Sequence, residues 1–299
     1  MTTIDEAAAF VQAFHLTSLR LAGDGLEFTV YRAKSSRHSP PDVALRIPKS
    51  TIFSNVNDAH LSAKSLLQQE LAIYALLSPS AVPVPRPFEL LEIDGKTAML
   101  SSYIESDGSH VSLKTLGHNL AKLHSVELPG HFTTIACEGT DILTVLPRRT
   151  VQRLSEFRKL DPSRPELQYT LPTDTLRSAI GKLNRFQQSL LHMDWRPANL
   201  RTREGEIVGV VDFSNALVGP AAVEIFRVLE LLDPGPEFLE GYGAVVPVPN
   251  VSRVEELCLR LDAAVMIALV FLSEAPDEEL GRRWSLRVRE LYRALEEEV

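Results

Sequence analysis

The chain has 299 residues, 44% of them apolar, and a formal net charge of -8 at pH 7. That composition supports a large buried core, in one bilobal unit or two modest domains. The acidic balance and the lack of a long basic block argue against nucleic acid as a partner, and two cysteines, Cys137 and Cys258, give neither a disulfide framework nor a metal-ligand spacing.

In chain order, residues 1–16 are polar and acidic at first and lack the basic, apolar, small-residue succession of a signal peptide. With the cysteine usage, this points to a cytoplasmic protein. Residues 19–33 alternate around Gly23-Asp24-Gly25. The pattern predicts a strand, a tight turn and a second strand, whose backbone N–H groups are suited to covering phosphates. Val43-Ala44-Leu45-Arg46-Ile47-Pro48 is a β-type run, and residues 62–77 predict a helix with Leu66, Leu67, Ile73, Tyr74 and Leu77 on its apolar side. The Pro-rich connector 81–87 must be extended. Strands at 88–93 and 97–103 follow, joined by an Asp94-Gly95 turn.

After about Tyr103 the character shifts from β-rich to helix-rich, setting an expected boundary between domains 1–103 and 104–299. Leu113, Leu116, Leu120 and Leu123 form a helical stripe that ends at His124, read as a structural histidine. Residues 146–183 read as a helical insert carrying Arg148, Arg149, Arg153, Arg158, Lys159 and Arg164, expected as a solvated basic face. The longest apolar run, 263–272, is too short for a membrane span and predicts a buried helix.

The chemistry concentrates in Leu191-His192-Met193-Asp194-Trp195-Arg196-Pro197-Ala198-Asn199, followed by Val210-Val211-Asp212. His-x-Asp, an Asn five residues beyond that Asp, and a second Asp closing an apolar run is the spacing of phosphoryl-transfer loops. The polar centre Arg203-Glu204-Gly205-Glu206 between β-prone arms predicts a hairpin that brings Asn199 and Asp212 nearly opposite each other. Two oxygen-bearing side chains on neighbouring strands suit Mg²⁺, which keeps waters and shares nucleotide phosphates. Asp212 ends an apolar run where a carboxylate without a partner is costly, and a metal compensates. Asp194 is then the candidate base that orients a hydroxyl and takes its proton as it attacks the γ-phosphate. Arg196 is placed to reach the transferred group, and His192 to brace the loop.

Together with Asp212-Phe213-Ser214-Asn215-Ala216-Leu217-Val218-Gly219-Pro220 and Glu224, this loop resembles the aminoglycoside phosphotransferase family. Those are small-molecule kinases that share a fold with choline kinases and protein kinases. The likeness runs from about Leu19 to Gly241-Tyr242. Gly219 and Glu224 match family positions seven and twelve residues after the metal-binding Asp, whereas Pro220 replaces a frequent Asp.

The resemblance implies an α+β, bilobal protein-kinase-like fold, with a small N-terminal antiparallel-sheet lobe and a larger, mainly helical C-terminal lobe. It implies ATP and Mg²⁺ as cofactors. Arg46 stands where protein kinases carry a strand lysine, with Glu70 as its partner toward the phosphates and Gly23 and Gly25 over them. The stretch 101–104, including Ser102 and Tyr103, corresponds to the hinge against adenine. Eleven residues separate Asp212 from Glu224, too few for a peptide platform, so the expected acceptor is a small hydroxylated metabolite or antibiotic. The basic insert weakens the case for a polycationic aminoglycoside and leaves a neutral or anionic compound open. Two other readings stay open: a nucleotide-binding scaffold without turnover, and an enzyme that activates its substrate by transient phosphorylation.

Overall fold

The structure is a computed structural model describing residues 4–57, 60–130, 132–135, 141–160 and 173–299. Cys137 and Arg164 lie outside them. In chain order the elements are α1 (Ile4–Ala13), β1 (Leu16–Asp24), β2 (Phe28–Ser35), β3 (Asp42–Pro48), β4 (Ile52–Phe53), β5 (Leu61–Ser62), α2 (Ala63–Leu77), β6 (Pro87–Ile93) and β7 (Lys96–Ser102). Then come α3 (Leu113–His124), α4 (Ile142–Leu160), α5 (Thr173–Gly181), β8 (Gln188–Leu191), β9 (Leu200–Arg203) and β10 (Glu206–Val210). The last are β11 (Leu217–Pro220), α6 (Ala221–Leu232), α7 (Gly235–Gly243), α8 (Arg253–Leu269) and α9 (Glu278–Glu298). The described residues pack as two compact units, one drawn from 4–54, 60–112 and 197–215, the other from 55–57, 113–130, 132–135, 141–160, 173–196 and 216–299.

In the first unit β1, β2, β3, β7 and β6 form one antiparallel sheet in that spatial order. Strand alternation assigns the faces. Val43, Leu45 and Ile47 of β3 join Phe10 and Phe14 of α1 in one core, so Arg46 points to the opposite face, where it meets Glu70 of α2. Ser62 caps α2 by accepting the Ser65 N–H. Each apolar side chain that α2 buries, such as Leu67 and Ile73, contributes about 1.5–3 kcal/mol.

The β9–β10 hairpin turns at Glu204-Gly205, with φ of 53° and 82°, the left-handed pair of a two-residue hairpin turn. It is fastened to this unit by Val210 N–H on the Pro83 carbonyl (2.7 Å) and by Ser106 Oγ, which bonds Thr202. A register shift between Ile207 and Gly209 bends the ribbon. A Cβ on Gly209 would come within 2.6 Å of Ile104 Cδ1, the tip of a side chain that would have to turn aside.

The second unit is built on the apolar faces of α4, α5, α6, α8 and α9, with Phe157, Ile180, Leu257, Val265, Val288 and Leu291 in its core. The short ribbon β8–β11 pairs Leu191 with Leu217 and Gln188 with Pro220. Helices α3 and α7 cross on glycine. A Cβ at Gly117 would strike the Phe238 carbonyl, and one at Gly241 the Lys114 carbonyl. Helix α8 opens with a Ser252–Glu255 capping box.

Two expectations are corrected here. The apolar run 263–272 does not stay α-helical, because residues 270–274 form a π turn. Arg153 is not on a solvated face. It is 7% exposed and pairs with Asp262 at 2.9 Å, because a carboxylate in this helical core requires a cation. Arg148 and Lys159 are exposed. Among the described residues no helix is long and apolar enough to cross a membrane.

Candidate active site

The first unit gathers Arg46, Glu70 and Asp212. Arg46 donates through Nη1 to Glu70 (3.2 Å) and through Nη2 to Asp212 Oδ1 (2.6 Å), and its guanidinium lies 4.2 Å from the Phe28 ring centre. Burial works against its charge, but the two carboxylates outweigh burial and raise its pKa. Burial pushes the Glu70 carboxyl up, against the pull of Arg46. The Tyr74 hydroxyl donates to Glu70.

Asp212 has left-handed backbone, φ 67°, and its Oδ1 also accepts the Ser214 hydroxyl (2.7 Å). Gln69 of α2 donates to the Phe213 carbonyl (3.1 Å), tying the residues after Asp212 to the same helix. Val211 N–H donates to the Asn199 carbonyl (3.0 Å), so Asn199 and Asp212 stand at one end of the hairpin. A carboxamide and a carboxylate there are hard oxygen donors of the kind Mg²⁺ takes alongside water and phosphate. Among the described residues no group of three or more His, Cys, Asp or Glu side chains suits a metal held by protein alone.

The remaining predicted nucleotide contacts are placed as follows. Gly25 opens the β1–β2 turn with its N–H on the Phe28 carbonyl (2.9 Å). Gly23, expected in that turn, lies instead within β1 opposite Val30, and a Cβ there would meet nothing within 4 Å, so the local fold does not require glycine at 23. Ser102 N–H bonds the Arg86 carbonyl and Tyr103 N–H the Asp42 carbonyl, both at 2.9 Å. Those two amides are engaged within the sheet. An adenine edge would have to be met by carbonyls or by the residues that follow.

The second unit holds the loop after β8. His192 is fully buried, Met193 is 7% and Trp195 3% exposed. Asp194 keeps 25% of its side chain open and is paired with Arg196 at 2.9 Å. The His192 ring accepts the Asp194 N–H through Nδ1 (3.2 Å) and packs edge-on against Trp195.

Glu224, in the first turn of α6, accepts the backbone N–H groups of His192 (2.8 Å) and Met193 (2.5 Å). His124 Nε2 meets the same carboxylate at 2.9 Å, and His124 Nδ1 meets the Tyr242 hydroxyl at 2.9 Å. Sequence reasoning marked Glu224 by its spacing but missed Tyr242, Tyr74, Phe28 and Gln69. The partners of Tyr242, Phe28 and Gln69 lie on other elements, so no local spacing points to them, whereas Tyr74 stands one helical turn after Glu70, a spacing the sequence does offer.

An antiparallel sheet carrying a buried Arg–Glu pair, and a helical unit whose Asp-bearing loop hangs on an invaginated acid, define the α+β fold of kinase-like phosphotransferases. The family model described as the phosphotransferase enzyme family matches residues 18–257. The chain belongs to that family. Comparison with curated protein sequences gives no match.

Among solved structures, the chain is similar to ADP-bound aminoglycoside phosphotransferase APH(2'')-Ib, at 14% identity and TM-score 0.60, covering 96% of this chain and 97% of that one. It is also similar to a thermostable mutant of APH(4)-Ia in ternary complex with AMP-PNP and hygromycin B, at 13% identity and TM-score 0.64, covering 97% and 98%. A third is the macrolide 2'-phosphotransferase MphH from Brachybacterium faecium, at 16% identity and TM-score 0.57, covering 94% and 96%.

Proposed function

We propose that this phosphotransferase moves the γ-phosphate of ATP to a hydroxyl of a small molecule, with Asp194 as the base. The observation that carries the reading is the loop of Asp194. Its neighbours His192, Met193 and Trp195 are buried and its amides are pinned by Glu224, yet the Asp194 carboxylate stays partly open. A carboxylate so held is positioned before substrate arrives, and positioning is the larger part of phosphoryl-transfer catalysis.

In the reaction, the acceptor oxygen bonds to the γ-phosphorus while the bond from that phosphorus to the bridging oxygen of the β-phosphate breaks. Asp194 takes the hydroxyl proton, and ADP leaves. Arg46, oriented by Glu70, supplies a permanent cation with a forked donor set for phosphate oxygens. Asn199 and Asp212 would hold Mg²⁺, which when bound neutralises phosphate charge. Arg196 is assigned to the transferred group and His192 to bracing the loop. Gly23, near the end of β1, and Gly25, in the turn after it, are assigned to covering the phosphates, and the carbonyls of Ser102 and Tyr103 to the adenine edge.

We assign nucleotide binding chiefly to residues 1–103 and acceptor binding to 104–299, and place the reaction in the cytoplasm, where ATP is supplied. Related structures solved with ADP, ATP and GDP support a nucleotide donor. Those solved with gentamicin, streptomycin or kanamycin support a small hydroxylated acceptor. The retention of Asp194, Asn199 and Asp212 together speaks against a scaffold without turnover.

The test is Asp194→Asn. Turnover of ATP with acceptor should fall roughly 10²–10⁴-fold with an unchanged circular dichroism spectrum, and phosphorus NMR of the parent reaction should show a stable phosphoester. A folded Asp194→Asn protein with parental turnover would remove the base assignment.

A further inference from the structure

The second unit contains a guanidinium that its own acids do not satisfy. Arg227 lies on α6, one turn beyond Glu224. Among the described residues it forms no ion pair, its one hydrogen bond is a weak one from Nη2 to Met266 Sδ (3.7 Å), and its Nε is buried without an acceptor. The nearby acids are already engaged. Asp262 Oδ1 takes Arg153 and Thr150, each at 2.9 Å, and Asp194 takes Arg196. Arg153 and Arg196 thus take these two carboxylates, and Arg227 pairs with neither. Burial, the largest influence, pulls the Arg227 pKa below the ordinary arginine value, while Asp262, Asp194 and Glu224 act against it. Glu224, one turn earlier on α6, holds the His192 and Met193 amides, so the Arg227 cation stands beside the loop of the candidate base.

The surroundings of Met266 fit a ligand wall. Met266, Ile267 and Val270 are part-buried where α8 gives way to the π turn, a local geometry frequent at functional sites. Asn57 donates to the Met266 carbonyl (3.3 Å) and to Glu274 (2.9 Å), and its own Oδ1 is buried without a donor.

We propose that Arg227 binds an oxyanion of the acceptor, a carboxylate or a phosphate ester, and so presents the acceptor's hydroxyl to Asp194, with the acceptor's apolar body against Met266 and Ile267. The inference rests on the phosphotransfer reading and narrows its substrate class. A guanidinium fork matches the two oxygens of a carboxylate or phosphate and loses little order in binding them. The same cation repels ammonium groups, so polycationic acceptors are disfavoured by the charge that attracts anions.

The experiment measures ATP consumption by the parent, Arg227→Met and Arg227→Lys proteins. The acceptors are hydroxylated aryl and alkyl carboxylic acids and hydroxyalkyl phosphates, each beside its neutral amide or methyl ester, with kanamycin as the polycation. The inference expects the anionic member to exceed its neutral twin at least tenfold in kcat/KM. Arg227→Met should raise the acceptor KM tenfold or more, leave the KM for ATP unchanged and erase the preference, which Arg227→Lys should partly restore. Whichever anionic series responds identifies the group. Parental preference retained in Arg227→Met, or preference for neutral or cationic acceptors, overturns the inference and leaves the phosphotransfer reading standing.

A binding arm does not need turnover. The same acids are titrated calorimetrically into Asp194→Asn protein with AMP-PNP. Loss of binding on adding Arg227→Met supports the inference, and equal binding with and without Arg227 overturns it. Absence of binding by every acid overturns it too. Since Arg227 has no acid partner to lose, Arg227→Met should also hold or raise the melting temperature. A clear drop would assign the residue to structure.

Discussion

Glu224 is fully buried and holds four groups at once: the His192 and Met193 amides, the His124 ring, and through that ring the Tyr242 hydroxyl. Burial disfavours its charge, yet hydrogen bonds and the neighbouring histidines more than offset this, and its pKa lies below the ordinary 4.5. A depressed carboxylate contributes stability that is complete above its unfolded pKa and is lost as pH falls through the folded value. Glu224→Gln keeps an acceptor oxygen but loses these charge-assisted hydrogen bonds, and should cost about 1.5–3 kcal/mol at pH 7. It should also flatten the loss of stability on acidification below about pH 4.5. Denaturant unfolding of both proteins at pH 7 and pH 4 gives the comparison, and parallel acid sensitivity would show that another group governs it.

At this scale the sequence was readable where chemistry follows spacing. Asp194, Asn199 and Asp212 announce themselves within one loop and hairpin. The Arg227 side chain carries no such signal, because its meaning lies in what its neighbours on α4 and α8 leave uncompensated.

Between elements, the crossing of α3 and α7 sets how closely His124 and Tyr242 approach. Gly117 and Gly241 let the two backbones touch. Gly241→Ala forces a methyl group into the Lys114 carbonyl, so the helices must separate. Overpacking of this kind costs about 1–3 kcal/mol. Because Tyr242 is the next residue, kcat should fall along with the melting temperature. An alanine variant with parental stability would mean that the crossing is looser than described.

Local elements were legible because their signals are local: the helix over residues 62–77, the Asp94-Gly95 and Glu204-Gly205 turns, the leucine stripe of α3. The sheet order β1-β2-β3-β7-β6 depends on long-range pairing and was not. Arg153 was misread although its position offered a clue. It stands with Thr150, Leu154 and Phe157 on one buried side of α4, at helical spacing that predicts an inward residue. The π turn left no trace, since Val270-Phe271-Leu272 suits an α-helix equally well.

For the molecule as a whole, nucleotide that binds only the folded chain must raise its stability. The gain is about 2.7 kcal/mol when ATP stands at a hundred times its Kd. Thermal unfolding with ATP and Mg²⁺ should therefore shift upward, and Arg46→Ala should shrink that shift at the same ATP concentration. Kinetically, Arg46→Ala should raise the KM for ATP more than the KM for acceptor. Equal losses for both would contradict the phosphate role given to Arg46.

The torsion at Asp212 bears on how such experiments are designed. With φ at 67°, that residue occupies a conformation which aspartate, asparagine and glycine adopt readily and bulky or β-branched residues resist. Alanine scanning there would mix the loss of a charge with a main-chain penalty of roughly 1–2 kcal/mol. Asparagine changes the charge alone. The same restriction narrows the codons open to mutational drift, so position 212 is guarded by geometry as well as by its partners.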